Sequence, residues 1–98
     1  MTTIYSVTDA LYDELLIRLT DATAETDYFS GTLSFEFEGV ACCLTASLIV
    51  VRRPERRPEG EFTRLDDWIP VWWEFHTRTA EGDELLNDFS FDSLRARF

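Results

Sequence analysis

The sequence predicts an α+β domain: one N-terminal helix packed on one face of a four-stranded antiparallel sheet, in the order α-β-β-β-β, with a short C-terminal helical turn. Three observations predict it. Residues 9–24 carry apolar side chains at three- and four-residue spacing. Residues 32–51 hold two alternating runs joined by Glu38-Gly39. Residues 71–79 alternate again and lead into the turn Glu81-Gly82-Asp83.

In the helix, Leu11, Tyr12, Leu15, Leu16, Leu19 and Ala22 form one stripe, with Asp9, Asp13, Glu14 and Asp21 off it. Thr8 or Ser6 caps the start, and Asp9 suits the positive end of the helix dipole. Glu14 and Arg18 stand at the spacing of a weak ion pair, and Ile17 falls outside the stripe.

In the first strand, residues 32–38, Leu33, Phe35 and Phe37 face one way and Ser34 and Glu36 the other. A two-residue turn at Glu38-Gly39 sets Phe37 against Val40, Phe35 against Cys42 and Leu33 against Leu44. The core face of the second strand is then Val40, Cys42, Leu44, Ala46, Leu48 and Val50. Its other face carries Ala41, Cys43, Thr45, Ser47, Ile49 and Val51.

Residues 52–61, RRPERRPEGE, repeat the unit RRPE and hold two prolines and a glycine. That composition excludes a regular helix or central strand and predicts a mobile loop, followed by a short turn capped by Thr63 or Asp66. The third strand, 71–79, directs Val71, Trp73, Phe75 and Thr77 inward and Trp72, Glu74, His76 and Arg78 outward. A fourth strand near Glu84–Ser90 completes the hairpin, and Leu94–Phe98 closes the chain as a helical turn capped by Asp92.

The chain has 98 residues and reads as a single domain, 1–98. Its net charge is −10, with 19 Asp and Glu against nine Arg and no Lys. Such a surface repels phosphate, so direct nucleic-acid binding and membrane-surface binding are not expected. The adjacent Cys42 and Cys43 point to opposite faces of a strand, so they neither pair with each other nor clamp one metal. No metal or other cofactor is expected, and two reduced thiols fit a reducing, cytoplasmic location. The N-terminus lacks a secretory pattern, and no apolar run reaches membrane-spanning length.

The single histidine carries the only weak catalytic candidates, Glu74 and His76, two residues apart on one strand face. A carboxylate beside an imidazole raises its pKa and orients it as a base, and Glu36 or Asp88 could join. The simpler reading is a half-solvated strand with charge pairs across it. No motif places a nucleophile beside His76.

Trp72 is a large aromatic on a polar face, to be covered by the chain itself or by a partner. With Trp68, Ile69, Ile49 and Val51 it outlines an apolar patch. Arg52, Arg53, Arg56 and Arg57, interleaved with Glu55, Glu59 and Glu61, read either as a solvated loop with local charge pairing or as a docking loop for an acidic partner or a second subunit. The leading expectation is a non-enzymatic interaction domain that binds a protein or a second copy of itself; a homodimer is the first assembly to test. Two alternatives are an acidic inhibitor that mimics DNA, built on the acids from Asp9 to Asp27, and a small hydrolase or metal-dependent enzyme around Glu74 and His76.

Overall fold

A computed structural model of the chain describes residues 4–97. The elements are β1 (Ile4–Tyr5), α1 (Asp9–Ala22), β2 (Tyr28–Phe37), β3 (Val40–Arg57), β4 (Gly60–Arg78), β5 (Glu84–Asn87) and α2 (Phe91–Arg95). The fold is α+β, but the sheet has five strands in the order β1-β5-β4-β3-β2, and it is mixed. β1 adds the unexpected fifth strand, parallel to β5, with Ile4 beside Leu86 and Tyr5 beside Asn87. Two residues carry too little alternation to announce themselves as a strand.

The helix follows its stripe. Leu11, Tyr12, Leu15 and Leu19 are buried, while Ala22 is exposed and the buried position at that end is Thr23. Thr8 caps it by accepting from the Leu11 N–H (3.2 Å), and Arg18 pairs with Glu14 at 2.8 Å. α1 has no basic residue in its last turn. Arg52 supplies the missing cation from β3: its guanidinium donates to the Thr23 and Thr26 carbonyls, which complements the negative end of the helix.

The β2–β3 hairpin has the expected register, from Phe37 against Val40 to Leu33 against Leu44. Glu38 and Gly39 both take positive φ (49° and 81°), the backbone of a tight turn whose twist matches the strands. Leu44, Ala46 and Leu48 are buried, and each leucine removed from water contributes about 1.5–3 kcal/mol.

β4 departs from the expected strand. It begins at Gly60, not 71, and carries two bulges against β3. Pairing steps from Ser47–Trp72 to Leu48–Pro70, leaving Val71 unopposed, and from Val51–Asp67 to Arg52–Leu65, leaving Asp66 unopposed. Each extra residue shifts the alternation by one. Phe75 and Thr77 are buried as expected; Trp73, also expected inside, shares their face but is 37% exposed, and Val71, expected inside, is exposed at the bulge. Trp68, one shift earlier, lies wholly inside the core, where its indole N–H donates to Thr23 Oγ1 (3.2 Å).

The segment read as a mobile loop is a β-ribbon. Arg52–Arg57 pairs with Gly60–Leu65 around a turn at residues 58–59, and no cap at Thr63 or Asp66 exists because both lie in β4. Both strands of a two-stranded ribbon are edges, where proline is tolerated; the exclusion of a central strand did not exclude this. The ribbon projects from the body as an arm. The molecule measures 56 × 23 × 19 Å, with a radius of gyration of 15.3 Å. A compact chain of this length would have a radius of about 13 Å.

Both helices pack on one face of the sheet. β5 ends at Asn87, short of Ser90, because Asn87 turns its side chain back to donate to the Phe75 carbonyl (3.1 Å). Phe89 then stacks on Phe75 (centroids 4.4 Å) and on Tyr12 (5.7 Å). α2 starts three residues earlier than expected, and its cap is Ser90, not Asp92. Its anchor is Arg95, which grips both oxygens of Asp67 at 3.0 and 2.6 Å. The guanidinium holds the Asp67 carboxyl below its ordinary pKa. Phe98, the last residue of the expected closing turn, and residues 1–3 lie outside the described residues.

Candidate interaction face

The face opposite the helices is uncovered among the described residues. The register arranges it in rows across β2, β3 and β4. The row nearest the arm is Tyr28, Ile49 and Ile69; the next is Ser30, Ser47 and Trp72. Then come Thr32, Thr45 and Glu74, followed by Ser34, Cys43 and His76. The last row is Glu36, Ala41 and Arg78, extended by Glu84 of β5.

One corner is apolar. Tyr28 is 53% exposed, Ile49 44%, Ile69 44% and Trp72 48%. Four large apolar side chains in two adjoining rows form a contiguous patch, not scattered singles. The middle of the face is lined by hydroxyls that satisfy one another: Ser30 with Ser47 at 3.1 Å and Thr32 with Thr45 at 3.0 Å. Ile4 and Leu86, also exposed, form a second apolar margin on the β5 side.

At the far end His76 lies between two carboxylates. Its Nδ1 is 2.9 Å from Glu84 and its Nε2 3.3 Å from Glu74. A carboxylate only accepts, so filling both bonds requires the doubly protonated ring. Glu84 and then Glu74 accordingly raise the imidazole pKa above its usual value. The expected Glu74–His76 pairing is present, and its third member is Glu84, not Glu36 or Asp88. Asp88 instead accepts from the Val7 N–H (2.7 Å) and ties β1 to β5.

The register also sets Cys43 opposite His76, beside a shallow depression of about 330 Å³ lined by Ser34, Cys43, His76 and Arg78 among others. A nucleophile and its base need a hydrogen bond between them. Here the Ser34 hydroxyl donates to Cys43 Sγ (3.5 Å), while both imidazole nitrogens face carboxylates. Cys42, on the core face, has its thiol pKa pushed up to about 11 by burial. Among the described residues, no three His, Cys, Asp or Glu side chains are grouped to hold a metal. No helix among the described residues is long and apolar enough to cross a membrane.

Of the residues expected to meet a partner, Trp72, Ile69 and Ile49 stand together on the open face. Val51 is half-buried at its margin. Trp68 and Arg52 must be withdrawn: the first fills the core and the second caps α1. Arg53, Arg56 and Arg57 ride on the arm, where they pair with Asp66 (3.2 Å), Glu61 (3.3 Å) and Glu55 (3.0 Å). Arg57 also lies 5.3 Å over the ring of Phe62.

Sequence reasoning missed Tyr28 and Glu84. Tyr28, Phe29 and Ser30 do alternate, in phase with Leu33, but Gly31 and the acidic stretch before them hide the strand's start. No protein-family model, curated protein or solved structure matches the chain.

Proposed function

We propose that this chain is a non-enzymatic, cytoplasmic protein–protein interaction domain that binds through the open face of its sheet. The observation that carries the reading is the patch of Tyr28, Ile49, Ile69 and Trp72, large apolar side chains left in water while both helices pack on the other face. A patch of this kind on a small domain marks a surface that another protein covers. Aromatic anchors such as Trp72 and Tyr28 carry most of the affinity where they are buried.

The charged end of the face supports a binding role over catalysis. Both imidazole nitrogens of His76 face carboxylates, Glu84 and Glu74, so neither is aimed at the Cys43 thiol or another nucleophile. The acidic-mimic reading has less support. Of the acids crowding α1, Asp9 and Asp13 share the one guanidinium of Arg97 and Glu14 pairs with Arg18, which breaks up the row of charge that a phosphate imitation needs.

The test is a capture experiment with the intact chain and with Trp72→Ala and Ile49→Ser variants, read together with light scattering. The reading expects a protein, or a second copy, that binds the intact chain and is lost from both variants. Capture unaffected by either substitution, or a monomer that captures nothing, contradicts it.

A further inference from the structure

We infer that the free edge of β2 pairs, antiparallel and about a two-fold axis, with the same edge of a second copy. The contact is the margin of the sheet, not the Trp72 patch, so the inference goes beyond the reading of the open face and does not depend on it.

The backbone of β2 sets out the contact. β2 ends the sheet order, so among the described residues only β3 lies beside it. In a two-residue hairpin the pair flanking the turn, here Phe37 and Val40, is a hydrogen-bonded one, and the pattern repeats at every second residue. The Val50 N–H donates to the Asp27 carbonyl (2.9 Å), which keeps the same phase at the far end. The odd-numbered residues of β2 therefore bond to β3. Tyr28, Ser30, Thr32, Ser34 and Glu36 turn their N–H and C=O groups to the free edge.

A long bare edge is a template for another strand, and proteins normally blunt it. β1, at the other margin, is two residues long, and β3 carries Pro54 and several arginines where it runs into the arm. β2 has no such device. Its ten residues pair with β3 without a bulge, include no Pro, Lys or Arg, and hold one charge, Glu36.

The order of residues in the strand selects a second copy. Phe29-Ser30-Gly31-Thr32-Leu33-Ser34-Phe35 is nearly a palindrome about Thr32. Antiparallel pairing on a two-fold axis at Thr32 sets Phe29 against Phe35, Ser30 against Ser34 and Thr32 against itself. Tyr28 then meets Glu36, so the lone carboxylate faces a phenol and not its own copy. Every outward-facing residue from Tyr28 to Glu36 meets another, which makes about ten backbone hydrogen bonds. Aromatic pairs and hydroxyl pairs are among those that stabilise adjoining strands. Phe29, Leu33 and Phe35 are only half-buried in the single chain, on the helix side of this edge, and gain cover from the second strand. Gly31 fits the same register. It lies outside the positive-φ region, and a Cβ there would make ordinary contact with the Phe29 ring at 3.5 Å, so its own molecule does not call for glycine. A strand drawn up against the edge, with Leu33 opposite Gly31, gives the missing side chain a use. Two copies of one edge close on each other and leave no further site, which makes a dimer and not a fibre.

The experiment is sedimentation of the full chain over a concentration series, with variants at exposed positions of β2. Thr32→Pro removes an outward N–H at the axis and leaves the bonds to β3 intact. Ser30→Lys/Ser34→Lys and Ser30→Glu/Ser34→Glu each set like charges opposite one another in the proposed register. Circular dichroism checks that each variant is folded; if Thr32→Pro is not, the two charged variants decide. The expected result is a dimer for the parent chain, with each variant associating at least about tenfold more weakly. Mixing the Lys and Glu variants restores a heterodimer, because Lys then faces Glu at both positions, although each chain still carries net negative charge. Trp72→Ala dimerises like the parent. A monomeric parent chain, a folded Thr32→Pro that dimerises like the parent, or charged variants that do not recover on mixing overturns the inference. A dimer lost in Trp72→Ala but kept in Thr32→Pro also overturns it, and leaves the open face as the contact. A monomeric parent that captures a different protein in a manner sensitive to Thr32→Pro excludes the second copy. Dimerisation through β2 with no capture through Trp72 supports this inference while the open-face reading fails.

Discussion

Replacing Trp68 by Phe tests the register that the two bulges impose. Trp68 is 0% exposed, and its indole N–H is bonded to Thr23 Oγ1, which in turn donates to the Leu19 carbonyl (2.8 Å). Phe removes a volume of about 40 Å³, which at about 24 cal/mol per Å³ of unfilled cavity costs about 1 kcal/mol. The lost hydrogen bond costs about 1 kcal/mol more. The total, about 2 kcal/mol, lowers the melting temperature of a domain this size by about 10 °C. Trp72→Phe, on the open face, stays within about 0.5 kcal/mol of the parent. Urea unfolding followed by far-ultraviolet circular dichroism measures both, at concentrations low enough to keep the chain monomeric. Equal costs for the two substitutions, or a larger cost at Trp72, would refute the bulged register and with it the face assignment.

Arg52→Met keeps the aliphatic stem but removes the bonds to the Thr23 and Thr26 carbonyls, and is expected to cost about 1 kcal/mol. Arg53→Met, its neighbour on the arm, stays within about 0.5 kcal/mol; the same urea series compares them. The His76 ring titrates above its usual 6.5 by NMR, and Glu84→Gln moves it down more than Glu74→Gln does. Because folding raises this pKa, the pairing stabilises the fold fully below pH 6.5 and fades as pH rises through the folded-state value. The pair is solvent-exposed, so this contribution is no more than about 1 kcal/mol. Cys43 reacts with a thiol reagent in the native chain at neutral pH, whereas Cys42, with its thiol pKa near 11, reacts only on unfolding; mass spectrometry of the labelled peptides distinguishes them.

Local rules carried the sequence as far as a single period could reach. The α1 stripe and the β2–β3 hairpin follow from side-chain spacing and one Glu-Gly turn, so Leu15, Leu44 and Phe35 lie where the spacing puts them. The Glu74–His76 pair and the outward Trp72 follow from the same alternation. The bulges at Val71 and Asp66 leave no such mark. Each reverses the face of everything upstream of it in β4; Trp68 adjoins Ile69 in the sequence but lies behind the surface that Ile69 and Trp72 share. The arm was hidden for a different reason. RRPERRPEGE has the composition of a loop, and its strand character comes from pairing with residues 60–65, a partnership that propensity does not encode. Arg52 reads as part of an Arg cluster until the fold brings the end of α1 against it. Glu84 joins His76 only through the β4–β5 pairing, whose register the turn at Glu81-Gly82-Asp83 sets.

The central claim is that the sheet face bearing Trp72 is open in the single chain, with Trp68 buried behind it. Oxidative footprinting of the intact chain in dilute solution, alone and in complex with a captured partner, measures this directly. The account predicts rapid modification of Trp72 and Tyr28 in the chain alone, protection of both in the complex, and protection of Trp68 throughout. Trp72 shielded in the dilute chain, or equally reactive in the complex, would contradict it.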